Sequence, residues 1–155
     1  MKKNDIYFME QALNLAKSAE IKEEVPVGAV LVLNNIIIGE GANSSITRHD
    51  PTAHAEIIAL RSGGTFLKNY RLLSTTLYVT LEPCFMCYGA ILHSRISRLV
   101  FGTSYKKCKK NYTYFNDYLL KTIHQNKIKI TKNVLQEDCK NILKFFFQHK
   151  RKNNF

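Results

Sequence analysis

One imidazole, two thiols and a spare carboxylate stand out in this chain, in His54-Ala55-Glu56 and Pro83-Cys84-Phe85-Met86-Cys87. His54, Cys84 and Cys87 form a set that can hold a zinc ion by three protein atoms. A structural zinc is usually closed by four protein ligands, whereas a catalytic one keeps a position for water or substrate. Three ligands therefore predict activation of water, with Glu56 left off the metal to move protons. A closed site would need a fourth ligand such as His49, His93 or Cys108. C-x-x-C alone is common and often structural or redox-active. With H-x-E upstream and a proline before the first cysteine, the pattern is far more specific. His93, His124 and His149 read as packing or surface residues, and Cys108 and Cys139 as free thiols.

Geometry constrains how these residues meet. Cys84 and Cys87, three apart on a helix, share a face. Residues two apart in a helix interior point to nearly opposite sides, so His54 and Glu56 share a site only where a helix has barely begun. Thr52 as cap puts His54 in a first turn, and the helix runs to about Ser62, where Gly63-Gly64 ends it. Pro83 suits a first helical position and opens a second helix to about Ser94. Both helices then aim their positive N-terminal ends at the metal, which favours thiolates.

The remaining elements are read from periodicity. Residues 5–20 place Met9, Ala12, Leu13 and Ala16 at helical spacing, with Asn4 or Asp5 able to cap. Two β-rich runs, Ala29 to Leu33 and Ile36 to Gly39, flank Asn34-Asn35 and predict a hairpin. Thr76 to Thr80 and Arg98 to Phe101 are strands, the latter ended by Gly102. Residues 114–122 suit a short helix and Lys127 to Thr131 a strand edge. Leu135 to His149 carries Leu135, Cys139, Ile142, Leu143, Phe146 and Phe147 on one helical face. Helices interleaved with strands predict an α/β domain with a central sheet covered on both faces.

At 155 residues the chain is expected to be one domain, 1–155, able to bury roughly 70% of its unfolded surface. It has no apolar run of about 18 residues and hence no expected membrane span. Its N-terminus lacks the apolar core of a signal peptide, and isolated cysteines beside a metal-type pair predict a reduced, cytoplasmic protein. The net charge of +11 is uneven: residues 1–103 hold 10 Lys/Arg against 9 Asp/Glu, residues 104–155 hold 13 against 3. A basic final third beside a near-neutral catalytic portion favours an anionic partner, nucleic acid first. The competing account is compositional drift, since lysine outnumbers arginine 17 to 6.

Longer stretches carry a family resemblance. Glu24-Val25-Pro26-Val27-Gly28-Ala29, Asp50-Pro51-Thr52-Ala53-His54-Ala55-Glu56, Thr76-Leu77-Tyr78-Val79-Thr80-Leu81-Glu82-Pro83-Cys84 and His93-Ser94-Arg95-Ile96 resemble the bacterial tRNA-specific adenosine deaminases, within the zinc-dependent cytidine and deoxycytidylate deaminase superfamily. The likeness runs from about residue 5 to 102 and resumes over about 127–151. It implies a cytidine-deaminase-like three-layer α/β/α fold with a central mixed five-stranded sheet, assembled as a homodimer. It also implies a zinc-dependent hydrolase, with one Zn2+ per subunit, converting adenosine to inosine at the wobble position of a tRNA anticodon arm. Carried over by position, His54, Cys84 and Cys87 would bind zinc, Glu56 would be catalytic, and Asn43 would help hold the flipped nucleotide; turn formation is the other role for that asparagine. The chain departs from the family between Thr103 and Asn116, where Tyr105 and Lys106 to Tyr112 replace an Asp and a glycine-rich stretch. Tyr88 stands where a small residue is common. The alternatives are a deaminase of free guanine or cytosine-type substrates, and a non-catalytic RNA-binding relative.

Overall fold

In the computed structural model, which describes residues 4–104, 121, 122, 125 and 127–153, the order is α1 (Asp5–Ile21), β1 (Gly28–Leu33), β2 (Ile36–Ala42), α2 (Ala55–Leu67), β3 (Thr76–Leu81), α3 (Phe85–Ser94), β4 (Arg98–Thr103), β5 (Lys129–Thr131) and α4 (Gln136–Asn153). The paired asparagines form the predicted hairpin: Asn34 and Asn35 both take positive φ, 50° and 62°, the backbone of a type I′ turn. It joins β1 and β2 antiparallel, with a bulge between Leu31 and Val32. The five strands lie in the order β2-β1-β3-β4-β5, with β1 antiparallel to β3 and the β3–β4 and β4–β5 pairs parallel.

Alternation along the central strands divides the core in two. Ala29, Leu31, Leu77, Val79, Leu99 and Phe101 meet Ala59 and Leu60 of α2 and Ile91 of α3. Val30, Val32, Tyr78 and Val100 face Phe8, Met9, Ala12 and Leu13 of α1, with Cys139 of α4. These are the three layers the resemblance implied. Each fully buried Leu, Val or Phe contributes about 1.5–3 kcal/mol to holding them together.

Several boundaries differ from the sequence expectation. Helix α2 does not stop at Gly63-Gly64 but runs to Leu67, with Lys68 in the left-handed conformation after it. Gly63 serves packing instead, because a Cβ there would lie 2.3 Å from Leu31 Cδ2. The same close approach is built into β2, where a Cβ on Gly41 would sit 2.0 Å from the Ala55 carbonyl oxygen. Strand β4 likewise continues through Gly102 to Thr103, with Cys139 Sγ filling the space beside that glycine. Strand β5 is shorter than expected, and α4 is shifted to 136–153. The helix predicted at 114–122 falls, up to residue 120, outside the described residues, as do Tyr105, Cys108 and Lys106 to Tyr112.

Asp5 is not a helix cap. It opens α1 fully buried and takes a bidentate pair from Arg98, Nη1–Oδ1 2.7 Å and Nη2–Oδ2 2.9 Å, while the Tyr78 hydroxyl donates to Oδ1 at 2.9 Å. Arg98 also donates to Thr131 Oγ1 at 2.8 Å. One carboxylate thus ties α1 to β3, β4 and β5. The cap position is Asn4, whose amide reaches Asn35 instead of the helix end.

Candidate metal centre

The candidate ligands sit at two helix starts. His54 is the N-cap residue of α2, with φ −74° and ψ 152°, and Cys84 is the N-cap of α3, with φ −76° and ψ 173°. Thr52 is therefore not the cap. Its amide and hydroxyl donate to Asp50 Oδ1 at 2.8 and 2.7 Å, a local turn that delivers the chain to His54. Pro83 is not the first helical residue either, because the helix opens at Phe85. The sharing of a face survives the correction. An N-cap side chain and the side chain three residues later meet over the helix end, the geometry of a capping box. Here that pair is Cys84 and Cys87. Neither N-cap side chain makes a capping hydrogen bond.

The two helix starts converge. His54 Nδ1 lies 3.5 Å from Cys84 Sγ and 3.5 Å from Cys87 Sγ, and all three ligand atoms fall within 4.8 Å of one another. Tetrahedral zinc, with bonds of about 2.3 Å to sulfur and about 2.05 Å to nitrogen, requires an N···S separation of about 3.6 Å. The donor set fits zinc in chemistry and in spacing. Among the described residues the group of ligand atoms contains these three, and His49, His93 and Glu56 are not in it. Cys139 is a buried free thiol and His93 and His149 are exposed, as expected.

The cluster has a wet side and a dry side. Cys84 is exposed, whereas Cys87 is 0% and Glu56 4% exposed. Burial pushes the Glu56 carboxyl up to about 7, the Cys84 charge adds to the rise, and its own N–H, His54 and Cys87 oppose it. The thiols divide one proton: the hydrogen bond from Cys87, with help from His54, pulls Cys84 down to about 4, while that same bond and burial push Cys87 far up. His54 is raised, chiefly by its contact with Cys84. A carboxyl balanced near neutrality is suited to accept and return a proton at physiological pH.

Asn43 follows β2 at the same end of the sheet. Its amide donates to Val27 O at 3.0 Å, its Oδ1 accepts from Ser45 Oγ at 3.4 Å, and Ser44 N donates to Ala53 O next to His54. Sequence reasoning missed what fixes this loop. Glu24, 0% exposed, accepts from Thr47 N at 2.7 Å, Thr47 Oγ1 at 2.9 Å and Ile46 N at 3.2 Å. Burial would raise its carboxyl, but those hydrogen bonds outweigh it and hold Glu24 below the ordinary carboxylate range. The signal was a charged residue directly before the apolar Val25-Pro26-Val27 segment. Tyr88, one residue beyond Cys87, is buried with its phenol pushed up by burial and by Glu82 and Glu56. The N-terminal ends of α2 and α3 lie beyond the carboxyl end of β3, where open α/β sheets place their ligands.

Comparison with known proteins agrees with this arrangement. Residues 2–103 match the family model of the cytidine and deoxycytidylate deaminase zinc-binding region. A tRNA-specific adenosine deaminase of Buchnera aphidicola subsp. Baizongia pistaciae is 62% identical, over 98% of this chain and 93% of the relative. Among solved structures, a chain from a study of A-to-I editing by tRNA:A34 deaminases at the wobble position of transfer RNA is 38% identical. It covers 88% of this chain and 99% of its own, with a TM-score of 0.78. A guanine deaminase from Bacillus subtilis is 35% identical over 71% of this chain and 69% of its own, with a TM-score of 0.64. A three-ligand centre at two helix starts, on this sheet and with these relatives, assigns the chain to the cytidine and deoxycytidylate deaminase zinc-binding family, among its tRNA-specific adenosine deaminases.

Proposed function

We propose that this chain deaminates adenosine to inosine at the wobble position of a tRNA anticodon, using one zinc ion held by His54, Cys84 and Cys87. Zinc, when bound, supplies the Lewis acidity that brings a water's pKa down to about 7. The remaining work belongs to the chain. The Glu56 carboxylate takes a proton from the attacking water and delivers it to a ring nitrogen of the base; it then takes the proton of the new hydroxyl on C6 and delivers it to the amine, so that the C–N bond breaks as the C6 carbonyl forms. Adenosine and water give inosine and ammonia. The two helix N-termini favour the negative charge this chemistry needs. Asn43 holds the extruded nucleotide through its side-chain amide.

The observation that carries this reading is His54 Nδ1 at 3.5 Å from both Cys84 Sγ and Cys87 Sγ, with the buried Glu56 beside them, in a chain 62% identical to a tRNA-specific adenosine deaminase. Thiol ligands require a reducing compartment, which is why we place the protein in the cytoplasm. Among the described residues no helix is long and apolar enough to cross a membrane. We assign a homodimer as the assembled form. The test is inosine formation on an anticodon stem-loop RNA with adenine at the wobble position. Turnover should fall steeply with added salt, because phosphate contacts release counterions. An intact wobble adenine alongside rapid, salt-insensitive deamination of free guanine or cytidine would overturn the assignment.

A further inference from the structure

A cationic cleft lies at the opposite end of the sheet from the candidate metal ligands. The cleft, of about 530 Å³, opens where β3, β4 and β5 begin, bordered by Arg95, Arg98, Lys127 and Lys129 with the hydroxyls of Ser74 and Ser97 between them. Among the described residues no Asp or Glu lines it. The Arg98 charge is already matched by Asp5. Arg95, Lys127 and Lys129 are exposed, and among the described residues none of the three takes part in an ion pair. Three exposed cations around one concavity, with hydroxyl donors and an apolar floor from Ile96 and Ile128, suit phosphate oxygens better than scattered surface lysines do.

The backbone fixes these groups. Ser74, Arg95 and Lys127 all have positive φ, 61°, 59° and 57°, a region that residues with a Cβ seldom occupy. Arg95 ends α3, and Lys129 N donates to Ser97 O at 3.0 Å, which closes the cleft between β4 and β5. The separation from the metal ligands follows from β3. It runs from Thr76 at the cleft to Leu81, three residues before Cys84, so five steps of about 3.3 Å put about 17 Å of strand between the two places. An adenine in the catalytic site belongs to a loop, and backbone at that remove belongs to the paired stem behind it.

We infer that this cleft is a phosphate-binding surface for the stem of the RNA substrate, separate from the site that reads the base. The inference rests on the proposed RNA substrate, and the experiment separates the two. Binding of the anticodon stem-loop, and of a short single-stranded RNA carrying the loop sequence alone, is measured over a range of salt. The native protein is compared with Arg95→Gln/Lys127→Gln/Lys129→Gln, and zinc content and oligomeric state are recorded for both. For the stem-loop, the slope of log affinity against log salt should become shallower by about 2–3, at about 0.9 per duplex phosphate. Loop-only RNA should bind both proteins alike, and zinc content should not change. The single variant Lys127→Glu should weaken stem-loop binding in the same selective way. An unchanged slope, an equal loss on both RNAs, or a change of oligomeric state would overturn the inference; the last would make the cleft a contact between copies of the chain. Failure of the native protein to deaminate either RNA would sink the proposed function instead, and the slopes would still decide the cleft.

Discussion

Helix α2 carries His54 and Glu56, and it lies so close to β2 that one added methyl group tests whether its position matters. In Gly41→Ala the new Cβ would stand 2.0 Å from the Ala55 carbonyl oxygen and 2.7 Å from the Ala59 nitrogen. Both are backbone atoms, so no side chain can swing aside. Real contacts of this kind essentially never fall below 3.0 Å, so the helix must retreat by the difference between 3.0 and 2.0 Å, or 1 Å at least. His54 precedes Ala55 and moves with it, whereas ligand distances in a zinc site tolerate only about 0.2 Å. Zinc affinity should fall about 10–100-fold, by analogy with loss of a ligand's support, and turnover about 100-fold. Overpacking should also cost about 1–3 kcal/mol of stability. Gly28→Ala is the matched control. Its Cβ would meet the Ala12 carbonyl oxygen, also at 2.0 Å, and push on α1, which carries no ligand. Zinc affinity by chelator competition, stability by urea melts and inosine yield are compared for the two. Similar stability losses with zinc binding lost only in Gly41→Ala would support the reasoning. Native zinc affinity in Gly41→Ala, or equal zinc loss in Gly28→Ala, would refute it.

Three further outcomes follow from the same geometry. Asp5→Ala leaves the Arg98 guanidinium buried without its carboxylate, which should cost about 3–5 kcal/mol and lower Tm by roughly 10 °C; a shift of a degree or two would show the pair to be dispensable. The Glu24 carboxyl is held below its ordinary 4.5, so its contribution is complete above that value and is lost as pH falls through the lowered one. Urea melts of metal-free protein should show Glu24→Gln less stable at neutral pH but losing less than native in acid, and parallel pH curves would contradict the loop-pinning role. Chelation should abolish turnover, and zinc should restore it. Because the Cys87 thiol keeps its proton without metal and His54 is raised by its contact with Cys84, rebinding should release protons near pH 7 and weaken as pH falls. Calorimetry in buffers of different ionisation heat reads the number released, and a value of zero would contradict the assigned ligands.

Local signals in the sequence were dependable where a short-range rule decides the structure. Asn34-Asn35 specified its turn because both residues tolerate positive φ. The stripe of Cys139, Leu143 and Phe146 found the core face of α4. Local signals failed where packing overrode them. Gly63-Gly64 reads as a stop, yet the helix continues to Leu67, and Gly63 lies where a Cβ would meet Leu31 of β1. Thr52 and Pro83 looked like helix starts, but His54 and Cys84 hold the cap positions, with side chains turned to one another instead of to the backbone. The Asp5–Arg98 pair, 93 residues apart, and the Glu24 contacts with residues 46 and 47 left no periodic trace, since no spacing rule connects such distant partners. The metal centre was legible because its ligands come in two short motifs, while its supports are long-range.

The measurement that bears most directly on the whole account is zinc content and inosine yield, taken together, for Cys87→Ser and Glu56→Gln on an anticodon stem-loop. Cys87→Ser should lose both metal and turnover, whereas Glu56→Gln should keep a full zinc equivalent and lose turnover by at least 100-fold, the low end for a proton carrier. Equal zinc loss in the two variants, or near-native turnover by Glu56→Gln, would contradict a three-ligand centre served by a free carboxylate.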